Sequence, residues 1–320
     1  MATYVLRRLL QAIPIIIGIS VISFIIVNVA PGTPFDRFRS NRVPVEVINN
    51  LMRVYGFDQP LPVQFFKWFT RFWSFPFDNT AWGYSITDGT PVRDKVFQRI
   101  PSTLLLTGAS LLLTIVIAIP VGILAAVKQY SITDKFITVL TTIGYAMPTF
   151  WLGLIVKQVF SITLNWFPLF GKQSFGKDGD IPDLLWHLTL PALTLTVISV
   201  AGWSRYMRAS MLEVMRQDFI RTARAKGLDA SRVIFKHALR NALIPIVTLL
   251  GLTIPTLLSG AAITETVFSW PGLGYLGVSS VIERDYPVVL ATVMIGGTLV
   301  IIGNLLADIA YAFVDPRIKY

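Results

Sequence analysis

Hydroxyl side chains recur at helical intervals inside stretches that are otherwise apolar. Thr103, Thr107, Ser110 and Thr114 fall on one face, as do Thr138, Thr141 and Tyr145. Thr189, Thr196 and Ser199 form a third set, and Thr248, Thr256 and Ser259 a fourth. Residues three or four apart share a helix face. Hydroxyls so placed either let helices approach and bond, or give a path a weakly polar lining. Both readings stand. The lining candidates are Thr107, Ser110, Thr141, Tyr145, Thr196, Ser199, Thr256 and Ser259. Bond-making chemistry has little to work with. The 320 residues contain no cysteine, hence no disulfide, thiolate site or cysteine nucleophile. His187 and His237 are the only histidines, too few for a histidine-built metal site. No Gly-x-x-x-x-Gly-Lys-Ser/Thr phosphate loop occurs; Gly171-Lys-Gln-Ser lacks the preceding glycine. No catalytic residue, metal or cofactor is expected, and any nucleotide has to bind another chain.

The elements that carry these residues are hydrocarbon-length. The chain is 53% hydrophobic and 14% charged, with mean hydropathy +0.62, too little charge to cover a soluble surface. Six stretches meet the roughly 20-residue requirement of a membrane helix: Leu9–Val29, Pro101–Val127, Phe136–Val156, Leu184–Ser204, Ala242–Thr264 and Val288–Ala307. The first follows Arg7 and Arg8 and is longer than a signal-peptide core, so it is read as a retained helix. The net charge is +10, and its placement makes it a topology signal rather than a nucleic-acid footprint. Arg7, Arg8, Lys128, Lys135, the block Arg205–Arg240, Arg317 and Lys319 fall on one side, against only Lys172, Lys177 and Arg284 in the short loops of the other. The positive-inside rule then puts both termini in the cytoplasm and residues 30–100 outside.

Ionisable residues avoid the middles of the spans. Lys157 and Glu265 lie near outer ends and can snorkel, and Asp308 is one turn from Asn304 near an inner end. His187, at the outer start of the fourth span, is read as a structural hydrogen-bond partner. An ion-coupled carrier would more often hold a mid-span carboxylate. Pro14, Pro120, Pro148, Pro191 and Pro255 fall inside spans, as packing kinks or as bends for gating. The outer segment reads as two short helices. One runs from Pro44 to Tyr55 and stops at Gly56; the other, Leu61 to Trp73, carries Phe65, Phe66, Trp68, Phe69, Phe72 and Trp73 with Lys67 and Arg71 interleaved. An ordered cap over the bundle and a docking surface for an external partner are both open.

The block Arg205–Arg240 holds nine Lys/Arg and three acids, Glu213, Asp218 and Asp229. It predicts two helices separated by Gly227. The first includes Met211–Lys226; the second is capped by Asp229 or Ser231 and runs through Arg240. Met215, Phe219, Ala223 and Val233 give each short helix an apolar stripe. A solvated loop near anionic headgroups needs no such stripe. A docking element for a cytoplasmic protein fits better.

Here a resemblance becomes specific. Asp218-Phe-Ile-Arg-Thr-Ala-Arg-Ala-Lys-Gly227, followed by His237-Ala-Leu-Arg-Asn-Ala-Leu-Ile-Pro245, resembles the cytoplasmic EAA loop of ABC importer permeases. The general pattern is Glu-Ala-Ala, three residues, Gly, nine residues, then Ile-x-Leu-Pro. Ala223, Gly227 and Leu239 match it; Arg221, His237 and Arg240 stand where Glu, Ile and Pro are usual. These departures are the form associated with the dipeptide/oligopeptide/nickel branch. Six further stretches are similar to that branch, in order along almost the whole chain: Tyr4-Val-Leu-Arg-Arg-Leu-Leu, Pro31-Gly-Thr-Pro34, Asp58-Gln-Pro-Leu-Pro-Val-Gln64, Arg99-Ile-Pro-Ser-Thr-Leu104, Phe268-Ser-Trp-Pro-Gly-Leu-Gly-Tyr275 and Asp315-Pro-Arg-Ile-Lys-Tyr320. Thr33 stands where the branch often has Asp.

The resemblance implies an all-α integral membrane fold of about six transmembrane helices. This is a MetI-like ABC permease bundle with an extracytoplasmic cap region after the first helix. The chain divides into a first transmembrane helix (1–30), an extracytoplasmic segment (31–100), a core permease domain (101–314) with its coupling loop at 205–241, and a cytoplasmic tail (315–320). The resemblance also implies a translocation path for peptides or similar small solutes, in a bacterial or archaeal cytoplasmic membrane. The implied partners are a second related permease, two ATP-binding subunits and an extracytoplasmic solute-binding protein. ATPase contact is implied at Phe219, Arg221, Ala223, Gly227, His237, Leu239 and Arg240. An autonomous channel or ion-coupled secondary transporter is the alternative, and a membrane anchor without a path of its own is a third reading.

Overall fold

A computed structural model of the chain describes residues 2–30, 34–35, 44–54, 56–74 and 80–314. The Asp315–Tyr320 motif and tail, and Pro31, Gly32 and Thr33, lie outside the described residues. Among the described residues the fold is helical, with a single isolated bridge between Tyr84 and Pro91. Helix α1 is Ala2–Val29. The cap supplies α2 (Val45–Val54), α3 (Leu61–Trp73) and α4 (Val92–Phe97). Then come α5 (Ile100–Val127), α6 (Ile132–Ala146), α7 (Thr149–Thr163) and α8 (Ile181–Met215). The chain continues with α9 (Asp218–Ala225), α10 (Ala230–Ala242), α11 (Ile244–Ser259), α12 (Ala262–Val267), α13 (Leu273–Ile282) and α14 (Tyr286–Val314).

Among the described residues, four helices are long and apolar enough to cross a membrane alone: Arg7–Val29, Val92–Val127, Ile181–Met215 and Tyr286–Asp308. Two bent pairs bring the total to as many as six. The third span differs from its expected range, Phe136–Val156. It is broken between α6 and α7, which meet at 104°. Proline clashes with a helical residue before it, and Met147 accordingly turns extended, at ψ 128°, ahead of Pro148. The fifth span was expected over Ala242–Thr264. Instead α11 stops at Ser259, and Gly260 takes φ 86°, sending the chain into the separate short helix α12. Apolar composition runs straight through this break, so hydropathy alone does not mark it.

The spans α5 and α8 pack along each other, as do α11 and α14, and α1 lies against α14. Little of α1 is covered: Ile22, Ile25 and Ile26 face outward, as side chains in contact with lipid do. Three apolar clusters mark the levels of the molecule. At the cap end, Phe72, Trp82, Val92 and Val96 pack with Leu273, Leu276 and Val288, and the Phe72 and Trp82 rings stack at 4.7 Å. In the middle, Leu106, Leu188, Ala192 and Trp270 meet. At the opposite end, Met207 and Met211 of α8 are covered by Ile220, Ala223, Val233, Ala238 and Ala242.

Candidate functional site

The end of the molecule opposite the cap carries the basic block. The expected first helix, Met211–Lys226, is two helices. α8 continues to Met215, Gln217 turns extended, and α9 starts at Asp218. Gly227 ends α9 with φ 76°, a left-handed conformation that glycine adopts without steric cost. Its N–H donates to the Arg224 carbonyl at 2.9 Å, and Leu228 N donates to the Ala223 carbonyl. Asp229 then caps α10, accepting from Ser231 N at 2.9 Å.

This segment has two faces. Ile220, Ala223, Val233 and Ala238 are buried against α8, and the Ser210 hydroxyl donates to the Ala242 carbonyl at 2.8 Å. Phe219, Arg221 and Arg240 are exposed, and so are Arg224, Lys226, Arg232, Phe235 and Lys236. His237 and Leu239 are half-buried at the boundary. Of the seven coupling candidates, then, Ala223 anchors, Gly227 turns, and Phe219, Arg221 and Arg240 present themselves outward. Sequence reasoning missed Phe235, which lines a shallow groove with Asp229, Ser231, Arg232 and Lys236. Its position two residues after the Val233 stripe marks it as outward-facing. Also missed was the clamp beside the block. Arg208 Nε and Nη2 donate to Asp134 Oδ1 and Oδ2 at 2.8 and 2.7 Å, fastening the start of α6 to α8. The two-pronged geometry fixes orientation as well as distance.

Above the block lies a cavity of about 440 Å3 between α5, α8, α11 and α12. Thr107, Ser110, Ser199 and Thr256 line it, joined by Thr114, Thr149, Thr253 and Thr264. Among the described residues, no ionisable side chain lines it. Three of the other lining candidates, Thr196, Thr141 and Tyr145, lie elsewhere. Thr196 is buried between α8 and α5, donating to the Ala192 carbonyl at 2.7 Å and lying 3.4 Å from the Ser110 hydroxyl. Thr141 is buried and lies 3.1 Å from the Thr138 carbonyl. Tyr145 is exposed, with the Arg205 guanidinium 5.3 Å from its ring centre. The Ser259 side chain lies outside the described residues. Members of the hydroxyl stripes thus fall both along a cavity and in contacts between helices, at different positions. Thr253 could have been found, being one turn from Thr256. Thr264 Oγ1 is buried with no hydrogen-bond partner among the described residues.

The cavity is bounded at the cap end by α12, and the turn after α12 packs beside it. Here Glu265, expected to snorkel, is fully buried. Thr103 Oγ1 donates to its Oε1 at 2.8 Å, and Tyr275 N donates to Oε2 at 2.9 Å. The Thr103 hydroxyl in turn accepts from Leu273 N at 2.7 Å, and Trp270 Nε1 donates to the Ser102 carbonyl at 2.8 Å. A side chain at Gly272 would sit 2.3 Å from the Glu265 carboxyl carbon, so glycine lets the backbone wrap the carboxyl. Lys157 does not snorkel either; its Nζ donates to the Val267 carbonyl at 2.8 Å. His187 lies with Nδ1 2.8 Å from the Asp183 carbonyl, a structural hydrogen bond.

Comparison with known proteins agrees with this architecture. Residues 118–320 match the model of the binding-protein-dependent transport system inner membrane component, and residues 1–107 match the N-terminal model of such membrane components. The chain is 44% identical to the oligopeptide transport system permease protein AppB of Bacillus subtilis, over the full length of both. It is 38% identical to the dipeptide transport system permease protein DppB of Escherichia coli, across 100% of this chain and 99% of that one. It is 37% identical to the glutathione transport system permease protein GsiC of Salmonella paratyphi A, again over both full lengths. Among solved structures, the MetNI methionine ABC transporter in an inward-facing form shares the fold. The match has TM-score 0.57 and 21% identity over 69% of this chain and 97% of that one. A helical bundle with a seated basic block and a hydroxyl-lined cavity thus meets full-length sequence kinship, and the chain belongs to the family of binding-protein-dependent transport system inner membrane components.

Proposed function

We propose that the chain forms part of the translocation path of an ATP-driven importer for peptides or similar small solutes, with both termini cytoplasmic. ATPase subunits dock on the block through Phe219, Arg221, Gly227, His237, Leu239 and Arg240, while Ala223 holds it to the bundle. A second permease completes the path, and an external solute-binding protein delivers the solute at the cap end. The observation that carries this reading is the two-faced block, apolar toward α8 and basic-aromatic outward, at the end of a helix that also lines the cavity. A push on α9 and α10 reaches α8 through Ile220, Ala223 and the Ser210 bond, and reaches α6 through Asp134 and Arg208. Packed helices move as units, so the cavity wall follows. A lining of hydroxyls without charges suits passage, because a solute must bind weakly enough to leave. The names of the relatives, transporters of oligopeptides, dipeptides and glutathione, support the solute class.

Reconstitution in liposomes tests this. Uptake of a labelled peptide is expected only when the chain is combined with a second permease, ATPases, ATP and a binding protein. Uptake by the chain alone would establish an autonomous carrier instead. Unchanged uptake in the full assembly after blocking the cavity at Ser199 or Thr256 would reduce the chain to an anchor.

A further inference from the structure

The cap encloses a second cavity that the proposed path does not use. Its volume is about 550 Å3, and it lies between the cap ends of α1 and α14, the helices α2 and α3, and the loop at 80–84. Three cations, Arg53, Lys67 and Arg71, line it. Lys67 Nζ donates to Gln59 Oε1 at 2.8 Å, and none of the three meets a carboxylate among the described residues. Of the other lining residues, Phe24, Trp82 and Leu290 are apolar and buried, Trp68 is half-buried, and Asn28, Gln59, Gln64 and Thr80 are polar. Phe24 and Leu290 belong to membrane-crossing stretches, and Trp68 and Trp82 lie between these and the cap.

Depth in the membrane gives this arrangement its meaning. α1 ends and α14 begins at the cavity, so it sits where hydrocarbon gives way to headgroups. Indole rings are enriched at that boundary, and cations beside membrane helices bind anionic headgroups. A small free anion would leave Phe24 and Leu290 unused. A zwitterionic lipid would leave uncompensated positive charge. A net-negative phospholipid uses both halves, its phosphate among Arg53, Lys67 and Arg71 and an acyl chain over Phe24 and Leu290. We propose that this cavity binds an anionic phospholipid of the leaflet on the cap side, pinning α3 to α1 and α14. The proposal is independent of the solute and of the ATPase contacts.

Native mass spectrometry of the full chain in detergent tests it, with phosphatidylglycerol, phosphatidylethanolamine of the same acyl chains, and inorganic phosphate as probes. Phosphatidylglycerol is expected to be retained about tenfold better than phosphatidylethanolamine. The combined Arg53→Gln, Lys67→Gln and Arg71→Gln variant should lose that preference. The charge-keeping Arg53→Lys and Arg71→Lys variant should retain it, which separates loss of the site from misfolding. Millimolar inorganic phosphate should not displace the lipid. Equal phosphatidylglycerol retention by the glutamine variant would overturn the proposal. Displacement by phosphate alone would make this a free-anion site. A glutamine variant that keeps the lipid but no longer binds the solute-binding protein would assign the cations to a protein interface. Either outcome overturns the lipid assignment.

Discussion

Two segments of similar length, one at the cap end of the bundle and one at the opposite end, are built in opposite ways. At the cap end, the stretch from Gly260 to Ile282 is knitted to α5 by buried polar bonds, Glu265 with Thr103, Thr103 with Leu273 and Trp270 with Ser102, and Glu265 also accepts from Tyr275 N within the stretch. At the other end, α9 and α10 are held to α8 largely by apolar contact, and their cations point away. Buried polar bonds are directional and costly to break. Apolar contact between small helices tolerates sliding. The difference leaves the cap-end segment fixed within its own chain and the block's outer face uncovered.

Breaking the cap-end network should have the largest effect. Glu265→Leu removes the acceptor for both Thr103 and Tyr275, and each buried orphaned donor costs about 1–3 kcal/mol. Thermal unfolding in detergent should register a drop of several kcal/mol; a midpoint equal to wild type would mean the network is not holding the closure. Gly227→Val comes next. Space is open around a side chain there, so the penalty is backbone strain at φ 76° rather than a clash. Peptide uptake by the reconstituted assembly should fall about tenfold while ATP hydrolysis persists, whereas Gly227→Asn, which tolerates this conformation, should stay within about twofold. Identical behaviour of the two variants would sink the lever argument.

Reversing the exposed charges, Arg221→Glu with Arg240→Glu, should weaken ATPase co-purification about fivefold and flatten its salt dependence, because exposed charges act through screened attraction. Unchanged salt dependence would remove these residues from the interface. The smallest effect lies in the cap. Partial burial opposes charge on Asp88, but hydrogen bonds from Lys95, Thr90 and Ser85 outweigh it and hold the carboxyl well below its usual value. A lowered folded-state value means the contribution is complete at neutral pH and fades as pH falls below about 3.8. The side chain is 45% exposed, so the gain is slight. Asp88→Asn should lower the melting temperature marginally at pH 7, and the gap should close on acidification; a constant gap would refute the charge argument.

Much of this comparison was legible in the residues. Six apolar stretches, the aromatic helix Leu61–Trp73 and the turn at Gly227 all follow from local rules of length, spacing and conformation. The breaks were harder. Met147-Pro148 reads like any tolerated membrane proline, because whether a proline kinks or folds a helix depends on what the far half packs against. Gly260 is embedded in apolar sequence, and Gln217 carries no signal of its extended backbone. Glu265 was misjudged for a different reason. Its neighbours in sequence say only that it is near a span end, while Thr103, far away along the chain, decides its burial. The hydroxyl stripes were seen, but helical spacing cannot say which member of a stripe faces a cavity and which a neighbouring helix.

The fold at Pro148 bears on how the protein is made. Helix α6 has 15 residues, about 22 Å of rise, against roughly 30 Å of hydrocarbon. Neither half of the third crossing is long enough to insert as an independent unit. Its freed backbone groups at the elbow need protein around them in lipid. Both halves pack against α8, so cover for the elbow comes from a helix that lies later in the chain.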